Sequence, residues 1–248
     1  MNSMIVAYFT TGTIYEEHAK NFIRSVRSFD LPYEVVPIVD KGDWYANMQW
    51  KPDFINDMMM KYYPRSIVYV DIDAVFFRCP VLFNELDEDP SVHIAVHLLD
   101  HSKRRRSNHP PELLSGTIYL KNTVTSQEIV RKWIKQCKKS PTMWDQVALN
   151  HVLKEGNYPY YALPETYCTI FDYMSDVKEP VIKHYQASRT VRNAVPRKHT
   201  KLKSKVVVSK PKVVVSKPRI VDMSVVKCHP ATSVRRGGVT RIGRKRRP

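Results

Sequence analysis

The sequence predicts an α/β protein with a mainly parallel sheet flanked by helices, followed by a basic C-terminal arm. Three observations carry this. Apolar, β-prone runs alternate with segments whose apolar residues recur at helical spacing, the pattern that βα crossovers require. One run, Ser66-Ile67-Val68-Tyr69-Val70, passes directly into Asp71-Ile72-Asp73 and resumes as Ala74-Val75-Phe76-Phe77, as expected of a central strand buried on both faces. From Arg197 onward the texture changes to proline, like charge and repetition.

The elements follow in order. Met4–Phe9 is a first buried strand, and Thr10-Thr11-Gly12-Thr13-Ile14-Tyr15 is the turn after it. Thr13 and Glu16 have capping-box spacing, and Ala19, Phe22, Ile23 and Val26 form one helical face. Leu31-Pro32 breaks the chain before a strand over Tyr33–Val39. Lys51-Pro52 opens a helix with proline in its first turn, its buried stripe being Phe54, Ile55, Met58 and Met59. After the aspartates come a strand over Val92–Leu99, a polar insertion over His101–His109, and a strand over Leu113–Leu120. Thr125 and Glu128 repeat the capping spacing before a helix marked by Val130, Trp133, Ile134 and Cys137. Trp144-Asp145-Gln146 leads a shorter helix through Leu153, and Pro180–His184 is a last short strand.

Charge divides the chain. Of 40 Lys and Arg and 24 Asp and Glu in 248 residues, residues 197–248 hold 17 basic side chains and a single acid, Asp222. The arm is therefore +16, and residues 1–196, with 23 of each sign, are formally neutral. We read 1–196 as the folded domain and 197–248 as a low-complexity arm. Within the arm, Lys205–Pro211 is repeated without change as Lys212–Pro218. A proline every seven residues and dense like charge oppose a packed core, so the arm is expected to be largely disordered.

The four cysteines, Cys79, Cys137, Cys168 and Cys228, are far apart and form no CxxC and no Cys/His cluster with zinc-ligand spacing, Cys228 alone adjoining a histidine. That argues against a disulfide framework or a zinc site and fits a reducing compartment. The first apolar stretch is too short for a signal-peptide core, and no run approaches a membrane span. The expectation is a soluble, cytoplasmic protein, in the cytoplasm of a host cell if the chain is viral.

Asp71 and Asp73 carry the first chemical signal. Two carboxylates at the carboxyl end of a buried strand need cationic compensation, and that end is where ligands bind in open α/β sheets. A hard divalent ion, Mn²⁺ or Mg²⁺, carrying a phosphorylated ligand satisfies both demands. The spacing alone leaves open a solvent-facing turn.

Several motifs in order give residues 1–190 a resemblance to GT-A nucleotide-diphospho-sugar transferases, the glycogenin-like glycosyltransferases, whose sheet is of Rossmann type. The resemblance implies donor-nucleotide contacts from Thr10, Thr11, Gly12 and Tyr15, with the tyrosine ring stacking on the base. It implies a metal held by Asp71, Asp73 and His184, the last in His184-Tyr185-Gln186-Ala187-Ser188-Arg189. Lys51 corresponds to the basic residue that reaches toward the donor, and Leu114-Ser115-Gly116-Thr117 to the turn that lets backbone approach the sugar. Trp144-Asp145-Gln146 resembles the Asp-Gln pair beside the transferred sugar, making Asp145 and Gln146 the catalytic candidates. A helix cap is the plainer reading of Asp145. The sequence departs from the glycogenin pattern after His184, where Ala187 replaces a glycine and Thr190 a lysine. Arg189 or Arg192 is then the candidate for the diphosphate contact.

The resemblance implies a metal-dependent transfer of a sugar from a nucleotide-diphosphate sugar to a hydroxyl, with retention of anomeric configuration favoured. An inverting enzyme needs a carboxylate base, for which Asp145 or Glu165 is available. The arm has the charge footprint of a polyanion binder. Its candidate contacts are Lys205, Lys210, Lys212, Lys217, Arg244, Lys245, Arg246 and Arg247, with Lys103, Arg104, Arg105 and Arg106 as a basic loop on the domain. Nucleic acid, DNA by this reading, is the expected partner, and a hydroxymethylated base in DNA the expected acceptor. A protein or glycan acceptor keeps the same chemistry. A binding protein that kept the fold and lost turnover is the reading from another class.

Overall fold

The computed structural model describes residues 1–104 and 110–189. Chain order is β1 (Met4–Thr10), α1 (Tyr15–Ser28), β2 (Tyr33–Ile38), α2 (Trp44–Gln49), α3 (Lys51–Lys61), β3 (Ile67–Val70), β4 (Ala74–Phe76) and α4 (Leu82–Glu88). It continues with β5 (Ile94–Leu99), β6 (Glu112–Leu120), α5 (Val124–Lys139), α6 (Asp145–Glu155), β7 (Tyr161–Ala162), β8 (Thr169–Ile170) and β9 (Ile182–His184). Six strands form one sheet in the order β2-β1-β3-β6-β5-β7, and β4-β9-β8 form a second, smaller one. The expected α/β architecture is present. β1 runs parallel to β2 and β3, and β5 to β7, while β6 is antiparallel to both its neighbours.

Alternation along the central strands explains their uninterrupted hydrophobicity. Met4, Val6, Tyr8, Ile67, Tyr69, Ile118 and Leu120 face one core layer under α3, α5 and α6. Ile5, Ala7, Val68, Val70 and Tyr119 face the other, against Phe22 of α1 and Phe83 of α4. Burying both faces at roughly 25 cal/mol per Å² of apolar surface is what allows such short strands to hold the centre.

The run from Ser66 to Phe77 is not one strand. It leaves the large sheet at Asp71, turns through an Ala74 N–H to Asp71 C=O bond of 3.0 Å, and re-enters the small sheet as β4. The two aspartates therefore sit in the hinge between sheets.

Two caps differ from the spacing-based expectation. At α1, Thr13 Oγ1 donates to the Thr10 carbonyl and accepts from the Tyr15 amide, while Glu16 accepts from Gly12 N–H, so no reciprocal box forms. At α5 the box is Thr123 with Ser126, two residues earlier than Thr125 with Glu128. The short helix α2, N-capped by Asp43 accepting from Ala46 N–H at 2.9 Å, lay in a stretch without helical periodicity. Cys137 and Cys168 are buried free thiols, and Cys228 lies outside the described residues.

Candidate active site

Strand pairing assembles the site. In the small sheet β4 lies antiparallel to β9 with Ala74 opposite His184, which brings that histidine beside Asp73. In the large sheet β3 pairs with β6, and Asp71 N–H donates to the Gly116 carbonyl at 2.8 Å. The β5–β6 register shifts between Val96–Ile118 and His97–Leu114, so Ser115-Gly116-Thr117 bulge free of β5. Bulges re-aim side chains, and these three residues turn toward the aspartates.

Asp71, Asp73 and His184 each offer one ligand atom, all within 4.8 Å of one another. Asp71 Oδ1 accepts from Tyr69 Oη at 2.7 Å and pairs with Lys51 Nζ at 3.1 Å. Asp73 Oδ2 accepts from the Ala187 amide at 2.8 Å. Each carboxylate thus commits one oxygen to protein and keeps the other for the cluster. Asp73 Oδ1 lies 3.7 Å from His184 Nδ1, and the opposite ring nitrogen, Nε2, is 2.9 Å from Thr117 Oγ1. Burial raises the Asp71 pKa against the pull of Lys51, with Asp73 adding like charge. Burial opposes protonation of His184, but Cys168 and Asp73 outweigh it and push its pKa up to about 10.

The residues fit a divalent ion. A β-carbon at Gly116 would meet His184 Cε1 at 3.0 Å, His184 Nδ1 at 3.2 Å and Asp71 Oδ2 at 3.3 Å. Two ligand atoms therefore converge where only glycine leaves room. An imidazole with two carboxylates suits Mn²⁺ and related ions. The bond from Thr117 is the outer-shell contact that orients such a histidine.

Lys51 links this cluster to a second one. It is 5% exposed and enters from the first turn of α3. Its ammonium lies 2.9 Å from Asp145 Oδ2, 3.1 Å from Asp71 Oδ1 and 3.1 Å from Ser115 Oγ. Burial lowers its pKa, but Asp145 and Asp71 overcompensate, so it stays charged. Ser115 Oγ donates to Asp145 Oδ2 at 2.7 Å, and Trp133 Nε1 donates to the Asp145 carbonyl at 2.8 Å. Asp145 is the first residue of α6, and its side chain turns to Lys51 and Ser115 rather than capping the helix. Gln146 Nε2 donates to Glu112 Oε1 at 2.5 Å.

These groups line one cavity of about 740 Å³, together with Thr10, Tyr15, Ser115, Gly116, His184 and Arg189. That is ample for a nucleotide sugar. Thr11 and Gly12 lie outside its lining and are exposed, Thr11 bonding to the Ile38 carbonyl. Arg189 pairs with Asp172. Lys103 is exposed, 3.6 Å from Glu165. Arg104 ends a short 3₁₀ turn. Arg105, Arg106, Arg192, Lys205, Lys210, Lys212, Lys217, Arg244, Lys245, Arg246 and Arg247, and with them the boundary at 196, lie outside the described residues.

Sequence reasoning missed several cavity residues. Tyr8 donates to the Asn47 carbonyl at 2.9 Å, and Trp44 stands edge-on to Trp144 with ring centroids 5.9 Å apart. His101 falls in the polar insertion read from the sequence, and Glu112 just before the strand over Leu113–Leu120, with no site role given to either. The Asp43 cap was the one local signal that could have found Trp44.

Fold and site together define a GT-A nucleotide-sugar glycosyltransferase. The model of the nucleotide-diphospho-sugar transferase family matches residues 27–204, and the chain belongs to that family. No curated protein matches its sequence. Among solved structures it is similar to a glycosyltransferase involved in glycosylation of the major capsid of PBCV-1, with a TM-score of 0.60 at 14% identity, covering 77% of this chain and 97% of that one. It is also similar to GlyE of Streptococcus pneumoniae TIGR4, with a TM-score of 0.53 at 14% identity, covering 75% of this chain and 55% of that one. Mouse xyloside xylosyltransferase 1 gives a TM-score of 0.51 at 13% identity, covering 76% of this chain and 99% of that one. Among the described residues, no helix is long and apolar enough to cross a membrane.

Proposed function

We propose that this protein is a retaining, Mn²⁺- or Mg²⁺-dependent glycosyltransferase whose acceptor is a hydroxyl on a glycan or glycoprotein. The observation that carries the metal-dependent chemistry is the convergence of Asp71, Asp73 and His184 against a glycine that a β-carbon would crowd. When bound there, the ion would act as a Lewis acid on the donor diphosphate. Thr10 and Tyr15 hold the nucleotide, Ser115 and Gly116 admit the sugar, and Arg189 serves the diphosphate. Asp145 receives sugar hydroxyls. Gln146 stands beside the anomeric carbon, where electron-rich neighbours stabilise an oxocarbenium-like transition state. The acceptor oxygen bonds to the anomeric carbon as the bond from that carbon to the diphosphate breaks, and the acceptor hydroxyl's proton passes to the departing diphosphate oxygen.

Retention is supported by the state of the candidate bases. Asp145 Oδ2 is occupied by Lys51 and Ser115, and Glu165 does not line the cavity. A neutral acceptor is supported by the cavity wall, which carries Asp40, Asp43 and Glu112 with the Trp44 and Trp144 rings. Acids there oppose a phosphodiester backbone, and aromatic ring faces suit the C–H faces of saccharides.

A second reading, transfer to a hydroxymethylated base in DNA, is favoured by the +16 arm. One experiment covers both. Purified protein is given a panel of nucleotide sugars with Mn²⁺ or EDTA, and release of nucleoside diphosphate is followed with hydroxymethylated DNA, oligosaccharides or no acceptor. Release abolished by EDTA and stimulated by saccharide supports the first reading, and stimulation by the DNA the second. No release and no donor binding would leave a binding protein whose function resides in the arm.

A further inference from the structure

A chain of polar contacts runs behind Gln146. Its amide nitrogen donates to Glu112 Oε1, and Glu112 Oε2 lies 3.0 Å from His101 Nε2. His101 Nδ1 in turn lies 3.0 Å from Tyr173 Oη. The four residues come from separate parts of the fold, and all line the main cavity. His101 is only 8% exposed, so its ring is fixed, whereas the Glu112 side chain keeps 42% exposure. Glu112 is therefore not a core-filling group.

An ionised carboxylate only accepts hydrogen bonds, whereas an amide has a donating and an accepting edge. Facing Glu112, the Gln146 amide must turn its nitrogen toward the carboxylate and its oxygen away. A glutamine left alone has no such preference, because its terminal torsion is broad.

We propose that Glu112, held by His101, is a positioning residue that orients the Gln146 amide so that its oxygen faces the anomeric carbon. This rests on the transferase reading above. With the orientation lost and the carboxylate gone, the amide is free to present its N–H to a centre that gains positive charge, the wrong polarity for the transition state, and the rate falls with the fraction of molecules still correctly turned.

The test uses the full chain. Glu112→Leu, Glu112→Gln, Gln146→Ala and the Glu112→Leu/Gln146→Ala pair are compared in nucleoside diphosphate release with Mn²⁺. Glu112→Leu is expected to lower kcat by about two- to tenfold, with the donor KM within about twofold. Glu112→Gln, whose carbonyl can still accept, should recover part of the rate. On the Gln146→Ala background Glu112→Leu should cost nothing further, since the interacting pair is non-additive. An equal loss on both backgrounds, or an effect confined to KM, would overturn the proposal. The side-chain amide protons of Gln146, identified by their loss in Gln146→Ala, give a readout independent of turnover. In the wild type they should exchange slowly and resonate apart, and in Glu112→Leu they should collapse toward free-amide values. Unchanged amide signals in Glu112→Leu would refute the positioning role even if the wild type released nothing, while absence of release alone would indict the transferase reading.

Discussion

A methyl at position 116 would lie 3.0 Å from the His184 ring and 3.3 Å from Asp71 Oδ2, closer than side chains normally approach. Gly116→Ala should therefore leave folding nearly intact but weaken Mn²⁺ binding by about 10- to 100-fold, measurable by titration calorimetry. An affinity equal to wild type would mean that the cluster is not the metal site. The aspartates and His184 were legible in the sequence as types in order. Thr117 was not, because its role comes from facing the ring edge that the aspartates do not use. Nor was the state of Lys51, expected to reach for the donor and found between Asp71 and Asp145.

Between elements, Lys51 ties the start of α3 to the end of β3 and the start of α6. Lys51→Met leaves two carboxylates without their cation. Asp71 keeps 36% of its side chain exposed, so most of the penalty falls on Asp145, at 5%. A loss near 3 kcal/mol is expected, read as a lower urea midpoint with unchanged slope. The capping boxes make a sharper case. Thr123→Ala should cost about 1 kcal/mol, and Thr125→Ala less than about 0.5 kcal/mol. The reverse order in thermal melts would restore the cap to Thr125. Both sites show S/T-x-x-polar spacing, and sequence could not choose because the register of the α5 start depends on where β6 ends.

At the scale of the molecule, residues 1–196 are formally neutral and residues 197–248 hold all of the excess charge. Removing residues 197–248 should leave metal-dependent donor turnover within about twofold and abolish salt-sensitive binding to duplex DNA. For the full chain the logarithmic slope of affinity against salt reports the phosphates engaged, roughly 0.9 per contact. Filter binding across a salt series decides it. A slope unchanged by truncation would move the nucleic-acid contacts onto the domain, with Lys103 the exposed candidate among the described residues.

Alternating hydrophobic runs were enough to establish an α/β fold, and composition alone placed the excess charge in residues 197–248, because both are local or compositional properties. The order of short motifs was enough to pick out Asp71, Asp73, Asp145, Gln146 and His184. What they touch was decided by strand register: β4 against β9, β3 against β6, and the bulge at Ser115-Gly116-Thr117. Pairing register is a long-range choice made by packing of both sheet faces at once. For that reason the Lys51 bridge, the Thr117 contact and the His101–Glu112–Gln146 chain exist only in the folded molecule.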